Sequence, residues 1–277
     1  MLSTSLKPLL HVSSPLIVQI LLFTAKVLIV YGHQSSGSFS AAAKDVAVEA
    51  LTAQGCSVEI SDLYAMSFKA AATADDIKGL TFYWTILAFA EGRLSEDIAK
   101  EHAKISDSHM CWFGLPAIMK GWLDRVLTNG FTLYYVVHLQ DKKTILSFTT
   151  GSLESMFSPT GINGDMNVTL WPIQNGILHY CGFQVLAPQI FWAPSSAAAG
   201  DRTNMLEGWR TRLQGLLEET PLSFTPLDCF DQKTCQLKPD VREKHASKEF
   251  GLTVGIHLNK PPPPQPNESW VLILVHE

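Results

Sequence analysis

The sequence has 277 residues, of which 46% are hydrophobic and 17% are charged, and its formal net charge is −5. This length and apolar content predict one well-buried domain with an appendage. The sequence has no basic stretch typical of a nucleic-acid site, so nucleic acid is excluded as an expected partner.

The first 25 residues form a segment of their own. Residues 16–23 are an apolar run that follows a lone positive charge at Lys7, as in the h-region of a signal peptide. The run is too short for a transmembrane helix, and Gln19 interrupts it. We favour the alternative, an extension without a folding role, because the residues that follow are typical of a cytosolic enzyme. The five cysteines are odd in number and form no C-x-x-C pair, which predicts reduced thiols in the cytoplasm.

The first unit of the domain is a strand, a helix and a second strand. Residues 26–31 (KVLIVY) are a continuous apolar run, which predicts a strand buried on both faces. Ser40 is the expected cap of a helix that ends near Gln54, and residues 57–60 alternate like a strand near the sheet edge. A connection of this kind implies a parallel sheet.

The later elements continue the alternation of strands and helices. Apolar residues at three- and four-residue spacing predict a helix over residues 115–126, and another over 205–217. Residues 143–148 and 184–190 are predicted strands. The order predicts a doubly wound α/β sheet over residues 26–222, with ligands beyond the carboxyl ends of the strands. Residues 223–277 are expected to form a C-terminal extension with a proline-rich tail, whose final apolar run is too short to span a bilayer.

The loop after the first strand has the composition of an anion site. Residues 33–40 (HQSSGSFS) offer hydroxyls, a glycine and helix amides, which suit a pyrophosphate with His33 as a donor. An ordinary capped loop fits these residues equally well. Neither the dinucleotide fingerprint nor the P-loop pattern is present.

A second loop and several aromatic residues suit a flat ring system. Thr149, Thr150, Gly151 and Ser152 follow the strand at residues 143–148, and their glycine permits close approach of the backbone. An apolar wall is expected from Trp112 and Phe113, and a second aromatic patch from Phe131, Tyr134 and Tyr135. Each aromatic residue also suits the core.

The sequence has neither a metal-ligand cluster nor a visible pair of nucleophile and base. His179 and Cys181 are close in sequence, and we interpret them as a packed histidine and a buried thiol. Chemistry on this sheet is therefore expected to come from a cofactor.

Four segments carry a family resemblance. They are SDLYAM at 61–66, PAIMKGW at 116–122, GINGDMNVTLWPIQNGILHYCGF at 161–183 and FGLTVG at 250–255. These segments resemble the NAD(P)H:quinone reductases, or DT-diaphorases, and the resemblance runs from about residue 26 to residue 260. It implies a flavodoxin-like fold, a homodimer with sites at its interface, and tightly bound FAD. It also implies ping-pong transfer of hydride from NAD(P)H through the flavin to a quinone.

The resemblance also implies roles for individual residues. The FAD pyrophosphate is assigned to His33, Ser38, Phe39 and Ser40, and the adenosine portion to Arg202. The isoalloxazine ring is assigned an apolar wall of Trp112 and Phe113 and a binding loop of Thr149, Thr150, Gly151 and Ser152. The resemblance assigns the quinone pocket to Tyr134, Tyr135 and Tyr180, and the catalytic positions to Tyr135, Phe157 and Asn163. Asn175 stands where one branch of the family has a metal-binding histidine, and the C-terminal extension is retained. Both features favour the NAD(P)H-using branch and no metal.

Departures from the family pattern argue for an altered flavin site. Residues 105–111 (ISDSHMC) are short and polar where the family has an apolar central strand, so one central strand is expected to be truncated. The stretch after Gly79 and the loop between Tyr135 and Asp141 are also shortened. Phe157 replaces a tyrosine donor, and losing such a donor costs about 10²-fold in rate. The alternative function is therefore a catalytically impaired member that acts only as a dimerising or protein-binding partner.

Overall fold

The architecture is that of a computed structural model, which describes residues 25–76, 92–102, 113–127, 139, 141–158 and 160–245. Its strands are β1 (Lys26–Tyr31), β2 (Ser57–Asp62), β3 (Lys143–Thr144), β4 (Ser147–Thr149), β5 (Gln184–Val185) and β6 (Gln189–Phe191). Its helices are α1 (Phe39–Ala53), α2 (Glu96–His102), α3 (Ala117–Val126), α4 (Met166–Ile173), α5 (Ala199–Leu213) and α6 (Pro239–His245). A π-helix over Gln174–His179 continues α4.

The predicted strand–helix–strand unit at the start of the domain is confirmed. β1 and β2 pair in parallel, with Lys26 opposite Ser57 and Tyr31 opposite Asp62. β1 is buried from Leu28 onward, as its continuous apolar sequence predicts. β2 is more exposed and runs two residues further than its alternating pattern indicates.

The later strands form two further parallel pairs, β3 with β5 and β4 with β6, so the described strands make three two-stranded sheets. Lys143 is opposite Gln184, whereas Ser147 is opposite Gln189, so the later strand carries one extra residue between the two pairs. Such an insertion is a β-bulge, and it falls next to Pro188, which has no N–H to donate. The predicted strands over 143–148 and 184–190 therefore exist, but each is interrupted.

The carbonyl groups at the bulge bond to a side chain of α5. Arg212 Nη2 donates to the Ala187 carbonyl at 2.6 Å, and Nη1 donates to the Pro188 carbonyl at 3.0 Å. Arg212 Nε also lies 2.7 Å from Glu219 Oε1, which lowers the pKa of that carboxyl below its ordinary value. The bulge is therefore tied to the helix that covers it.

Helices cover both faces of the sheet. On one face, α1 and α5 pack on Ile29, and the Trp209 indole N–H donates to the Ala43 carbonyl at 3.1 Å. On the other face, α3 packs on Leu28 and Val30. Because successive side chains of a strand point to opposite faces, this alternation confirms the doubly wound α/β arrangement.

The predicted cap of α1 is wrong by two residues. Ser38, not Ser40, is the N-cap, and its Oγ accepts a hydrogen bond from the Ala41 amide at 3.1 Å. Phe39 lies in the first turn and packs edge-on against Phe191, with ring centroids 5.1 Å apart. Packing of that ring accounts for the earlier start of the helix.

Replacing Ser38 by alanine is expected to lower the free energy of unfolding by about 1 kcal/mol, because one amide at the start of α1 loses its acceptor. Urea denaturation followed by circular dichroism measures the change. The control is Ser36→Ala, since Ser36 is exposed in the same loop. Equal stability of both variants would contradict the capping role.

The chain after α5 returns to the sheet. The Leu222 amide donates to the Val185 carbonyl at 2.7 Å, and the Phe224 ring stacks on His179 with centroids 4.5 Å apart. A domain boundary at residue 222 stays a prediction. The predicted central strand at 105–111, the N-terminal extension before residue 25 and the tail after residue 245 lie outside the described residues. Within the described residues, none of the helices is both long and apolar enough to cross a membrane.

Candidate functional site

A cleft of about 500 Å³ lies beyond the carboxyl ends of β1, β4 and β6. This is where a doubly wound sheet is expected to bind ligands, and the volume lies in the range of small-molecule and cofactor sites. The described residues that line it are His33, Ser38, Phe39, Ser40, Thr149, Thr150, Gly151, Pro194, Ser195 and Arg202. The cleft therefore brings together eight of the residues that the sequence selects for a cofactor.

His33 is oriented by its own loop. The Ser35 amide donates to His33 Nδ1 at 3.0 Å, so Nδ1 acts as the acceptor of the ring. A neutral imidazole with Nδ1 as acceptor carries its proton on Nε2. His33 therefore presents Nε2 as a donor suited to an anionic oxygen.

The N-terminus of α1 adds further donors on the same side of the cleft. Amides in the first turn of a helix have no acceptor within the helix, and the helix dipole favours negative charge there. Ser38 Oγ lies 3.4 Å from the Tyr31 hydroxyl, which also lies 3.5 Å from the Ser35 carbonyl. These contacts fix the loop between β1 and α1 around an anion-binding helix end.

The opposite wall is a loop held by Thr150. The Thr150 amide donates to the Phe191 carbonyl at 3.0 Å, and its hydroxyl donates to the Ser152 carbonyl at 2.7 Å. The same hydroxyl accepts from the Ala193 amide at 3.2 Å. A Cβ built on Gly151 would meet no atom within 4 Å, so the backbone there is open to close approach by a flat ring.

Arg202 closes the far end of the cleft from the first turn of α5. Its Nη1 donates to the Ala197 carbonyl at 2.6 Å, which directs the guanidinium along the loop between β6 and α5. A guanidinium has five N–H groups, so one such bond leaves donors for an anionic or ribose oxygen. Ser152 lies in the Thr150 loop but does not line the cleft.

Three aromatic residues that do not line the cleft, Phe113, Phe157 and Trp192, form a row of ring contacts. The Phe113 ring lies 5.6 Å from Phe157, and the Phe157 ring lies 5.7 Å from Trp192. Phe113 has a φ of 60° and is 53% exposed, which is unusual for a large apolar residue in the left-handed region. Strain and exposure at one residue are typical of binding sites.

The loop that carries Phe157 is closed by Asn163. The Asn163 amide donates to the Met156 carbonyl at 2.8 Å. A Cβ on Gly161 would come within 2.5 Å of the carbonyl oxygens of Ser155 and Met156, so only glycine fits there. This tight loop places Asn163 near the aromatic row.

The expected quinone pocket is seen only in part. Tyr180 ends the π-helix, where its amide donates to the Asn175 carbonyl at 3.1 Å, and it is 63% exposed. It does not line the cleft. Trp112, Tyr134 and Tyr135 lie outside the described residues.

The described residues contain no group of three potential metal ligands in a suitable arrangement. Cys181 is buried. Partial burial against Phe224 lowers the pKa of His179 below its ordinary value. The expectation of no metal stays a prediction.

Sequence reasoning missed Trp192. It directly follows β6, and an aromatic residue at the carboxyl end of a predicted strand would have been the signal for it. It also missed the left-handed conformation of Ala193, whose φ is 46°, because alanine gives no sign of it.

Comparison with known proteins decides the family. A family model described as a flavodoxin-like fold matches residues 25–213. The NAD(P)H dehydrogenase [quinone] 1 of Rattus norvegicus is 45% identical over an alignment of 258 positions, which covers 85% of this chain and 94% of that protein. The chain belongs to the NAD(P)H:quinone reductase family. The flavodoxin-like fold expected from the sequence is confirmed with it.

Other members of the quinone reductase family are also similar. The ribosyldihydronicotinamide dehydrogenase [quinone] of Pongo abelii is 44% identical over 220 residues, covering 72% of this chain and 95% of that protein. A crystal structure described as a putative quinone reductase from Klebsiella pneumoniae is 32% identical, with a TM-score of 0.73 over 83% of this chain and all of that one. Quinone reductases are oxidoreductases, so family membership confirms the expected enzyme class.

Proposed function

We propose that this quinone reductase binds FAD and uses it to reduce quinones by two electrons at the expense of NAD(P)H. The observation that carries the proposal is the cleft, which collects donors from His33, the N-terminus of α1 and Arg202 beside the open backbone at Gly151. A chain of donors next to an open, flat loop suits a long anionic cofactor with a ring at one end.

Each wall of the cleft has a separate task. His33 Nε2 and the first turn of α1, with Ser38, Phe39 and Ser40, would hold the pyrophosphate. Arg202 would bind the adenosine portion. Thr149, Thr150, Gly151 and Ser152 would lie along the isoalloxazine ring, with Trp112 and Phe113 as its apolar wall.

FAD held there would supply the transfer of a hydride from NAD(P)H to a quinone, which becomes a hydroquinone when one proton from solvent is added. The aromatic row of Phe113, Phe157 and Trp192 would provide apolar contacts at the ring end of the site. Asn163 would donate a hydrogen bond near the ring. Tyr134, Tyr135 and Tyr180 would line the pocket for the quinone.

The choice of nicotinamide rests on the lengths of the matches. The rat and orangutan proteins have nearly the same identity to this chain, 45% and 44%, so identity does not separate the two branches. The match to the rat protein extends over 258 residues against 220, although each match covers nearly all of the relative. The additional matched length supports NAD(P)H as the reductant.

A homodimer is supported by apolar surface beside the cleft. Leu153 and Ile162 flank Phe157 in the chain and are 59% and 84% exposed, and Phe113 is 53% exposed. Large exposed apolar side chains that lie near each other mark a surface for association. A second copy seated there would complete the aromatic end of the site.

The second candidate is a catalytically impaired member that acts as a dimerising or protein-binding partner. Phe157 favours this candidate, because a phenyl ring has no N–H or O–H to donate a hydrogen bond to the negative charge that a flavin ring gains on reduction. The same apolar surface would serve this role.

The visible absorption spectrum of the purified chain tests the proposal. Flavin bands that bleach with NADH and return on addition of a quinone support the reductase. A chain that stays colourless with added FAD would refute it, and gel filtration would then show whether the impaired member still dimerises.

Arg202→Ala is expected to weaken FAD binding by about tenfold to a hundredfold, because a hydrogen bond to a charged group contributes roughly 1.5–3 kcal/mol. Titration of the FAD-free protein, followed by flavin fluorescence, measures the affinity. The matched control is Arg210→Ala in the same helix, where Arg210 pairs with Glu49 at 2.9 Å. Similar losses in both variants would remove Arg202 from the site.

A further inference from the structure

The backbone around Trp192, at the end of β6, is held by specific contacts. The next residue, Ala193, is buried, has a φ of 46° and donates its amide to Thr150 Oγ1 at 3.2 Å. A left-handed alanine costs about 1–3 kcal/mol and persists only where surrounding contacts hold it. The backbone that presents Trp192 is therefore fixed to the loop that forms one wall of the cleft.

The indole of Trp192 has a donor that the described residues do not use. Its ring is partly buried against the core cluster around Phe148 and Leu170. Within the described part of the chain, Nε1 has no hydrogen-bond acceptor, yet it is not among the buried polar atoms that lack a partner. Trp192 is half-buried and does not itself line the cleft, but it lies two positions before Pro194, which does.

Phe157 is the immediate neighbour of that donor. The two rings lie 5.7 Å apart with an angle of 33° between their planes. An indole N–H is a donor and a phenyl ring has none, so the pair offers one donor where Phe157 alone offers none.

We propose that the indole N–H of Trp192 donates a hydrogen bond to the FAD ring and stabilises the negative charge that the ring gains on reduction. This inference rests on the proposed function. It assigns the charge-stabilising role of this part of the site to Trp192 rather than to Phe157, and it makes the aromatic row an active part of the site. Preorganised donors aimed at developing charge have large effects.

The reduction potential of the FAD-loaded protein tests the inference without measuring turnover. Trp192→Phe keeps an aromatic ring against Phe157 and removes only the donor. The equilibrium between reduced and oxidised flavin is expected to shift about tenfold toward the oxidised form, which lowers the potential of a two-electron couple by roughly 30 mV. Trp171→Phe is the control, since Trp171 packs on Phe224, and its potential should match that of the parent.

A hydroxyl restored at residue 157 provides the rescue. Phe157→Tyr in the Trp192→Phe background is expected to return the potential to the parent value. In the parent background, where Trp192 already donates, the same substitution should shift the equilibrium much less than it does in the Trp192→Phe background. This variant adds a single oxygen and remains informative even if Trp192→Phe fails to fold.

The contradicting outcomes are distinct. Equal potentials of the parent and Trp192→Phe, or a tenfold rise for Phe157→Tyr in the parent, would overturn the role of Trp192 and leave the proposed function standing. A parent protein that shows no flavin bands with added FAD would overturn both.

Discussion

Replacing Arg125 by methionine is expected to lower the free energy of unfolding by about 3–5 kcal/mol. The side chain of Arg125 is only 2% exposed, and its guanidinium donates to both carboxylate oxygens of Asp76, at 2.9 and 2.8 Å. Methionine fills the space but leaves the Asp76 carboxylate, which is 11% exposed, buried without its counter-charge. Such an uncompensated charge is far more costly than the loss of an exposed pair.

The same guanidinium joins three separate parts of the chain. Nη2 also donates to Asp97 of α2 at 2.8 Å, and Nη1 donates to the Lys69 carbonyl at 2.8 Å. The pKa of Arg125 is raised above its ordinary value, mainly by the hydrogen bond with Asp76 and further by the one with Asp97. The guanidinium also lies 5.0 Å from the centre of the Phe68 ring. Loss of Arg125 therefore loosens α2 and the segment after β2 together.

Lys120→Met provides the matched control for Arg125→Met. Lys120 lies in the same helix and pairs with Asp124, but both side chains are about half exposed. Exposed pairs of this kind contribute little, so a change of about 0.5 kcal/mol or less is expected. Urea denaturation of both variants measures the difference. A loss below about 1 kcal/mol for Arg125→Met would show that the buried network does not support the fold.

Gly121→Ala is expected to destabilise the protein by about 3 kcal/mol, at the upper end of overpacking effects in cores. Gly121 is buried in α3, and a Cβ there would overlap the carbonyl oxygen of Ala70 and lie 2.7 Å from its Cα. Because these atoms belong to the backbone, they cannot turn aside as a side chain would. Either α3 or the segment around Ala70 must move.

The opposite sign is expected for Gly208→Ala. Gly208 lies within α5, and a Cβ there would meet no atom within 4 Å. Alanine in such a helix position stabilises by about 0.5–1 kcal/mol. Thermal unfolding of the two variants measures both changes. A loss at Gly208 equal to that at Gly121 would point to a general intolerance of helical alanine rather than to contact with Ala70.

Features that depend on neighbours in sequence could be predicted, and those that depend on distant partners could not. The apolar run of β1 and the helical spacing in α3 carry their own signals. The break between β5 and β6 has a local signal in Pro188, but its carbonyls bond to Arg212, more than twenty residues away, and no local pattern indicates that partner. Arg125 is one position from the apolar Val126, and its partner Asp76 is far away in the chain, so no local pattern indicates that it is buried.

The same distinction applies to the candidate site. His33, Thr150 and Gly151 directly follow strands, and parallel strands end at one edge of the sheet, so sequence order alone brings them together. The start of α1 was misplaced because the packing of Phe39 on Phe191 cannot be seen locally. Trp192 was missed because the strand before it ends one residue later than its pattern indicates.

The return of the chain to β5 has a consequence for solubility. A bare strand edge is a template on which other copies of a chain can add strands and aggregate. Leu222 already bonds to Val185 at this edge. Lys143 Nζ donates to the carbonyls of Leu217 and Glu219, at 2.6 and 2.8 Å, and so holds the segment that leads to Leu222. The segment after α5 thus acts as a guard against intermolecular β-sheet formation, a task separate from any turnover in the cleft.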